Sequence, residues 1–139
     1  MTRPKGPARA AIDIGVVTTA PEAMVAFYRD VLGLNPIGRL PTAGGSTVEQ
    51  LAWGTSLLKI VTLASEPPVR AVPGGVPAAT GYRYVTLQVD DLEGVVERCI
   101  AAGVPVVVPA TTIPDGSTIA IVADPDGNWV EIMREAAAR

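Results

Sequence analysis

The chain has 139 residues, enough for one domain or two small repeats sharing a core, and its 48% hydrophobic content argues against disorder. A formal charge of −3 without any basic run offers no footprint for nucleic acid or an anionic membrane. There is no histidine, which removes imidazole bases, Ser–His pairs and histidine-containing metal sites; the single cysteine, Cys99, excludes an intrachain disulfide and fits a reducing, cytoplasmic setting.

In chain order, residues 1–9 read as an N-terminal tail without the apolar core of a signal peptide, and no apolar run approaches the ~18 residues of a membrane span. Residues 11–18 lie in AAIDIGVVTT and predict a buried strand, with Asp13 inside it. An isolated carboxylate there costs several kcal/mol, on the order of a buried unpaired ion, so it needs either a partner or a cavity where charge has a use. A helix follows, with Thr19 as its cap, Pro21 in the first turn, Glu22 completing a capping box and Gly33 as the terminator. Met24, Phe27, Tyr28 and Val31 form its apolar face. Short strands are expected at roughly 36–41, 46–53 and 56–63.

Residues 64–81, ASEPPVRAVPGGVPAAT and the next Gly81, suit a mobile linker or a loop over a pocket. The grammar then recurs. A strand at 82–89 leads to a helix capped by Asp90, boxed by Glu93 and closed by Gly103, with Leu92, Val95, Val96, Cys99 and Ile100 on its apolar face. Strands are expected at roughly 105–110, 117–123 and 128–134, the last two joined by the turn DPDGN. Thr19 to Asp90 and Glu22 to Glu93 are each 71 residues, and Gly33 to Gly103 is 70. A repeated strand-helix-strand-strand-strand unit follows, as residues 10–63 and 82–135, with 136–139 as a C-terminal tail. The fold class is α+β: paired βαβββ modules.

Strand alternation marks four odd residues. Asp13 shares a face with Ala11, Gly15 and Val17; Lys59 with Leu57 and Val61; Tyr84 with Tyr82 and Thr86; Glu131 with Trp129 and Met133. Asp13 to Tyr84 is 71 residues and Lys59 to Glu131 is 72. Pseudo-symmetric packing would bring these four together around one cavity. The plainer alternative is a buried ion pair of Lys59 with Asp13 or Glu131, beside a hydrogen-bonded Tyr84.

The stretches DIGVVTTAPEAMVAFYRDVLGL and YRYVTLQVDDLEGVVERCIAAGVPVV, with DPDGNWVEIM, resemble the vicinal oxygen chelate superfamily over residues about 10 to 135. That superfamily includes glyoxalase I, extradiol dioxygenases, epimerases and bleomycin-binding resistance proteins. The resemblance implies modules forming a cupped, incomplete barrel, a homodimer and a small-molecule ligand. It also implies that Asp13, Lys59, Tyr84 and Glu131 occupy the positions of the metal ligands. A lysine ammonium has no lone pair, and a phenol ligates only after losing a proton near pKa ~10, so a transition-metal site is not expected. Asp13 then lines the former metal cavity, charge-balanced by Lys59; any residual metal would be Mg²⁺ or Mn²⁺ on Asp13 and Glu131.

Three functions stay open at this point. The first is a metal-independent cavity for a small, largely apolar molecule, with acid/base isomerisation, epimerisation, cyclisation or epoxide opening by Asp13, Lys59, Tyr84 and Glu131. The second is sequestration of a drug or metabolite between Trp53, Tyr82, Thr86, Trp129 and Met133. The third is a Mg²⁺- or Mn²⁺-dependent lyase, isomerase or dioxygenase.

Overall fold

The computed structural model describes residues 9–137. The tails expected at 1–9 and 136–139 therefore lie largely outside the described residues. Eight strands fall into two four-stranded sheets: β1 (Ile14–Val17), β2 (Asn35–Pro41), β3 (Thr47–Trp53) and β4 (Ser56–Thr62), then β5 (Tyr84–Gln88), β6 (Val106–Thr112), β7 (Thr118–Ala123) and β8 (Trp129–Arg134). The sheet orders are β1-β4-β3-β2 and β5-β8-β7-β6. In each, the first strand runs parallel to the last, and the other neighbours are antiparallel. The α+β arrangement of two open sheets is the expected one, and no barrel is closed.

Alternation decides what each strand offers. Leu58 and Ile60 are buried on β4, while Leu57, Lys59 and Val61 take the other face. On β8, Val130 and Ile132 are buried, while Trp129, Glu131 and Met133 take the other face. The buried faces join Met24, Phe27, Tyr28, Leu51, Leu92, Val95 and Cys99 in one core that runs through both repeats. Burying one such Leu or Ile contributes about 1.5–3 kcal/mol.

The first strand is shorter than expected, and this changes the account of Asp13. It precedes β1 at the surface rather than standing within a buried strand. Its Oδ1 accepts the backbone N–H of Leu57 at 2.8 Å, and its Oδ2 accepts from Arg9 at 2.6 Å. The carboxylate thus caps the end of the β1–β4 ladder. Its direct charge partner is Arg9 instead of Lys59.

Both helix starts also move by one residue. Ala20, not Thr19, is the first cap and makes no side-chain cap bond; Thr18 Oγ1 accepts the Ala20 N–H instead, at 2.9 Å. On α2 (Leu92–Ala101) the cap is Asp91 rather than Asp90, its Oδ1 accepting from the Gly94 N–H at 3.1 Å. Glu93, expected in a capping box, pairs with Arg134. Ile100 turns outward, 62% exposed.

The first helix differs in kind. After α1 (Pro21–Ala26) the chain makes a π-turn, Phe27–Val31, in which the Leu32 N–H donates to the Phe27 carbonyl five residues back, at 3.1 Å. The sequence offsets explain it. From cap to terminal glycine is 13 residues in the first repeat, Ala20 to Gly33, and 12 in the second, Asp91 to Gly103. One extra residue is what a π-turn absorbs, and the closing bonds bear it out: Leu34 donates to Tyr28, while Val104 donates to Cys99. Gly33 and Gly103 both close their helices at positive φ, 84° and 73°.

Candidate functional site

Strands β1 and β5 are edges of separate sheets, and the seam between them holds two cavities of about 790 and about 760 Å³. The first lies between the C-terminal end of β1 and the start of β5, beside Asn128 and Trp129. The second lies between the start of β1 and the C-terminal end of β5, beside Ser56 and Leu57. Asn128 follows Ser56 by 72 residues, as Trp129 follows Leu57, so the duplicated pattern relates the cavities. Ile14, Gly15, Tyr28, Tyr84 and Val85 border both.

The repeat breaks at the first cavity, which the segment between the repeats covers. Leu63, Pro67 and Val69 contribute to its wall. Arg83 ties this strap down, Nε donating to the Gly75 carbonyl at 2.8 Å and Nη2 to that of Val72 at 2.6 Å. Gly75, at φ 66°, lies flush on the six-membered ring of Trp129, where a Cβ would overlap the ring. The strap expected to be mobile is therefore seated at a defined place on the cavity wall.

A second missed feature lies beneath. Tyr28 on the π-turn donates its hydroxyl to Asp124 Oδ2 at 2.7 Å, joining the two repeats across 96 residues. Asp124 is buried, and its other donors come from its own turn: the N–H groups of Asp126 and Asn128 to Oδ1, and the Asn128 amide to Oδ2. Burial first, then the Asp124 charge and hydrogen bond, drive the Tyr28 phenol far above its ordinary ionisation range. DPDGN was legible only as a turn; nothing local to it names a partner in the first helix.

The nine expected site residues separate. Asp13, Trp53 and Thr86 border the second cavity, Trp129 the first, and Tyr82 and Tyr84 both. Lys59, Glu131 and Met133 border neither. Glu131 Oε1 accepts from Thr86 Oγ1 at 2.8 Å, and Met133 sulfur from the Gln88 amide at 3.3 Å. Hydrogen bonding to Arg9, then to the Leu57 N–H, holds the Asp13 carboxyl below its usual range, with a smaller contribution from the Lys59 charge.

These donors do not fit the metal set that the fold family implies. Asp13 already accepts two hydrogen bonds, a lysine ammonium has no lone pair, and Glu131, which accepts from Thr86 on the wall of the cavity that Asp13 borders, does not itself border it. Among the described residues no three His, Cys, Asp or Glu side chains are grouped to hold an ion. No described helix is long and apolar enough to cross a membrane.

Two βαβββ repeats, core-joined, with cavities along their seam, define the glyoxalase-like class of fold. The family model described as "Glyoxalase/Bleomycin resistance protein/Dioxygenase superfamily" matches residues 12–132, and the chain belongs to that superfamily. Among curated relatives, the "Putative glyoxylase CFP32" of Mycobacterium bovis is 27% identical over 121 residues, 87% of this chain but 42% of its own length. The chain thus spans less than half of that relative. Of solved structures, a glyoxalase family protein from Bacillus cereus matches with TM-score 0.76 at 18% identity, covering 99% of both chains. Lactoylglutathione lyase from Agrobacterium tumefaciens matches with TM-score 0.64 at 26% identity, covering 94% of this chain and 96% of the other.

Proposed function

We propose that this chain binds a small, largely apolar and aromatic organic molecule in the strap-covered cavity, without a metal, and holds it unchanged. The observation that carries this reading is the cavity itself: about 790 Å³, with Val16, Leu58, Leu63, Val85, Tyr84 and Trp129 in its wall. That size suits a drug-sized ligand, and the aliphatic and aromatic side chains of the wall favour apolar surface, with Glu66, Arg70, Arg83 and Asp126 as its charged members. Acid/base turnover is the weaker reading, because Asp13 is engaged by Arg9 and Leu57 and Lys59 and Glu131 border neither cavity. A homodimer belongs to the same proposal: Ile37 and Leu40 leave apolar surface on β2, 52% and 49% exposed, that a second copy would cover.

The test uses 8-anilinonaphthalene-1-sulfonate as an aromatic probe on chelator-treated protein. Saturable one-to-one binding is expected. Gly15 borders both cavities and has open space where a Cβ would stand, so Gly15→Leu should fill the seam without displacing backbone. Its affinity for the probe should fall by about tenfold or more, on the order of one lost buried apolar contact set. Binding that needs restored metal, or that ignores Gly15→Leu, would overturn the reading.

A further inference from the structure

We propose that Tyr28 is a positioning residue for the strap-covered cavity: through Asp124 it sets the turn that presents Asn128 and Trp129 to a bound molecule. The inference rests on the binding reading above and says which part of the first helix shapes that site. Four observations carry it.

The bond is buried, 2.7 Å long and spans the two repeats. Its acceptor is the organising centre of the Asp124–Asn128 turn, taking two backbone N–H groups on one oxygen and the Asn128 amide beside the Tyr28 hydroxyl on the other. Backbone bonds from Asp124 to Asn128 and from Gly127 to Asp124 close the same turn. Asp126, Asn128 and Trp129 leave that turn directly into the cavity wall, where Tyr28 itself also contributes.

The fourth observation is asymmetry. Counting 71 residues on from Tyr28 reaches Cys99, and counting 71 back from Asp124, the offset that pairs Ala52 with Ala123 on the preceding strand, reaches Trp53, so the duplicate of this bond has neither phenol nor carboxylate. The π-turn that carries Tyr28 likewise exists only in the first helix, while α2 runs as a regular helix. Fold maintenance would call on both repeats alike. Tyr28 borders both cavities, but the turn it holds borders only the one that the strap covers, where Gly75 rests on Trp129. π-turns concentrate at functional sites for the same reason: one inserted residue re-aims a side chain without unravelling the helix. With its hydroxyl hydrogen committed to Asp124, the Tyr28 oxygen keeps lone pairs that can accept from a ligand N–H or O–H.

The experiment compares Tyr28→Phe with the parent in a Trp53→Phe background, so that Trp129 is the only tryptophan. Near-UV circular dichroism first establishes packed tertiary structure. The dissociation constant of 8-anilinonaphthalene-1-sulfonate should then rise about tenfold, the effect of losing one buried charge-assisted hydrogen bond, and acrylamide should quench Trp129 more readily. A lower denaturation midpoint with unchanged probe affinity and unchanged quenching would overturn the proposal, because a purely structural bond would give that result. If the parent binds no probe, the binding reading fails, while unchanged or increased quenching in Tyr28→Phe still decides against or for the positioning role. Should Tyr28→Phe not fold, nuclear magnetic resonance of the parent decides: probe-induced shifts of the Asn128 side-chain amide and Tyr28 ring support it, and unmoved signals in a probe-bound sample overturn it.

Discussion

Tyr28 and Asp13 are both polar groups at the seam, and they solve the problem of charge in opposite ways. Tyr28 stays neutral: burial and the Asp124 carboxylate raise its ionisation far above the ordinary phenol value. A raised folded-state pKa contributes stability below the unfolded value near ~10, and that stability is lost as pH climbs beyond it. Spectrophotometric titration should therefore find one of the three tyrosines un-ionised until the protein unfolds in alkali. All three ionising reversibly in folded protein would contradict the buried bond. Removing the hydroxyl in Tyr28→Phe should cost about 1–3 kcal/mol by urea denaturation, since Asp124 loses a donor inside the core. Asp13 stays charged through Arg9 and the Leu57 N–H. Its depressed pKa contributes above the unfolded value near ~3.9 and fades as pH falls through the folded value, and its exposure keeps the contribution small.

At the scale of elements, the two helices test how local grammar is read. Both Asp90 and Asp91 could cap α2, and side-chain type alone does not choose between them. The choice falls to Asp91 because its carboxylate reaches the Gly94 N–H, and Gly94 has no Cβ to obstruct it. Asp91→Ala should lower stability by about 1 kcal/mol while Asp90→Ala changes little, a contrast that thermal denaturation would reverse if Asp90 were the cap. The π-turn was present in the offsets, as a drop from 71 to 70 between cap and terminator. The count reveals an extra residue, but only the Leu32-to-Phe27 bond shows where it is absorbed. The strap gives a third case. Gly75→Ala would drive a Cβ into the Trp129 ring, so it should lift the strap and red-shift Trp129 emission in the Trp53→Phe background. An unshifted spectrum would mean the strap does not rest there in solution.

For the whole molecule, duplication builds a scaffold whose halves have diverged. One continuous core crosses both repeats, whereas the sheets stay separate and leave space between β1 and β5. Of the residues that the resemblance places at metal positions, Asp13 and Glu131 already accept hydrogen bonds from Arg9, Leu57 and Thr86, and a lysine ammonium has no lone pair to offer, so equimolar Mn²⁺ or Zn²⁺ should leave the thermal midpoint unchanged. A reproducible rise would show tight binding to the folded state and overturn the metal-independent reading. Cys99 sits in the shared core with its thiol pushed up by burial, and Ellman's reagent should reach it only upon unfolding.

Sequence by itself determined the order of the elements, the repeat and the face on which Leu58, Ile60, Val130 and Ile132 meet the core. Those properties are written in periods of two and 3.6 residues, which each segment carries without reference to the rest. Tertiary structure alone decided that Arg9 neutralises Asp13, that Tyr28 finds Asp124, that Lys59 and Glu131 border neither cavity, and that the strap lies on Trp129. Such pairings depend on how two repeats pack against each other, and no local period records the distance between residues that meet only after the chain has folded.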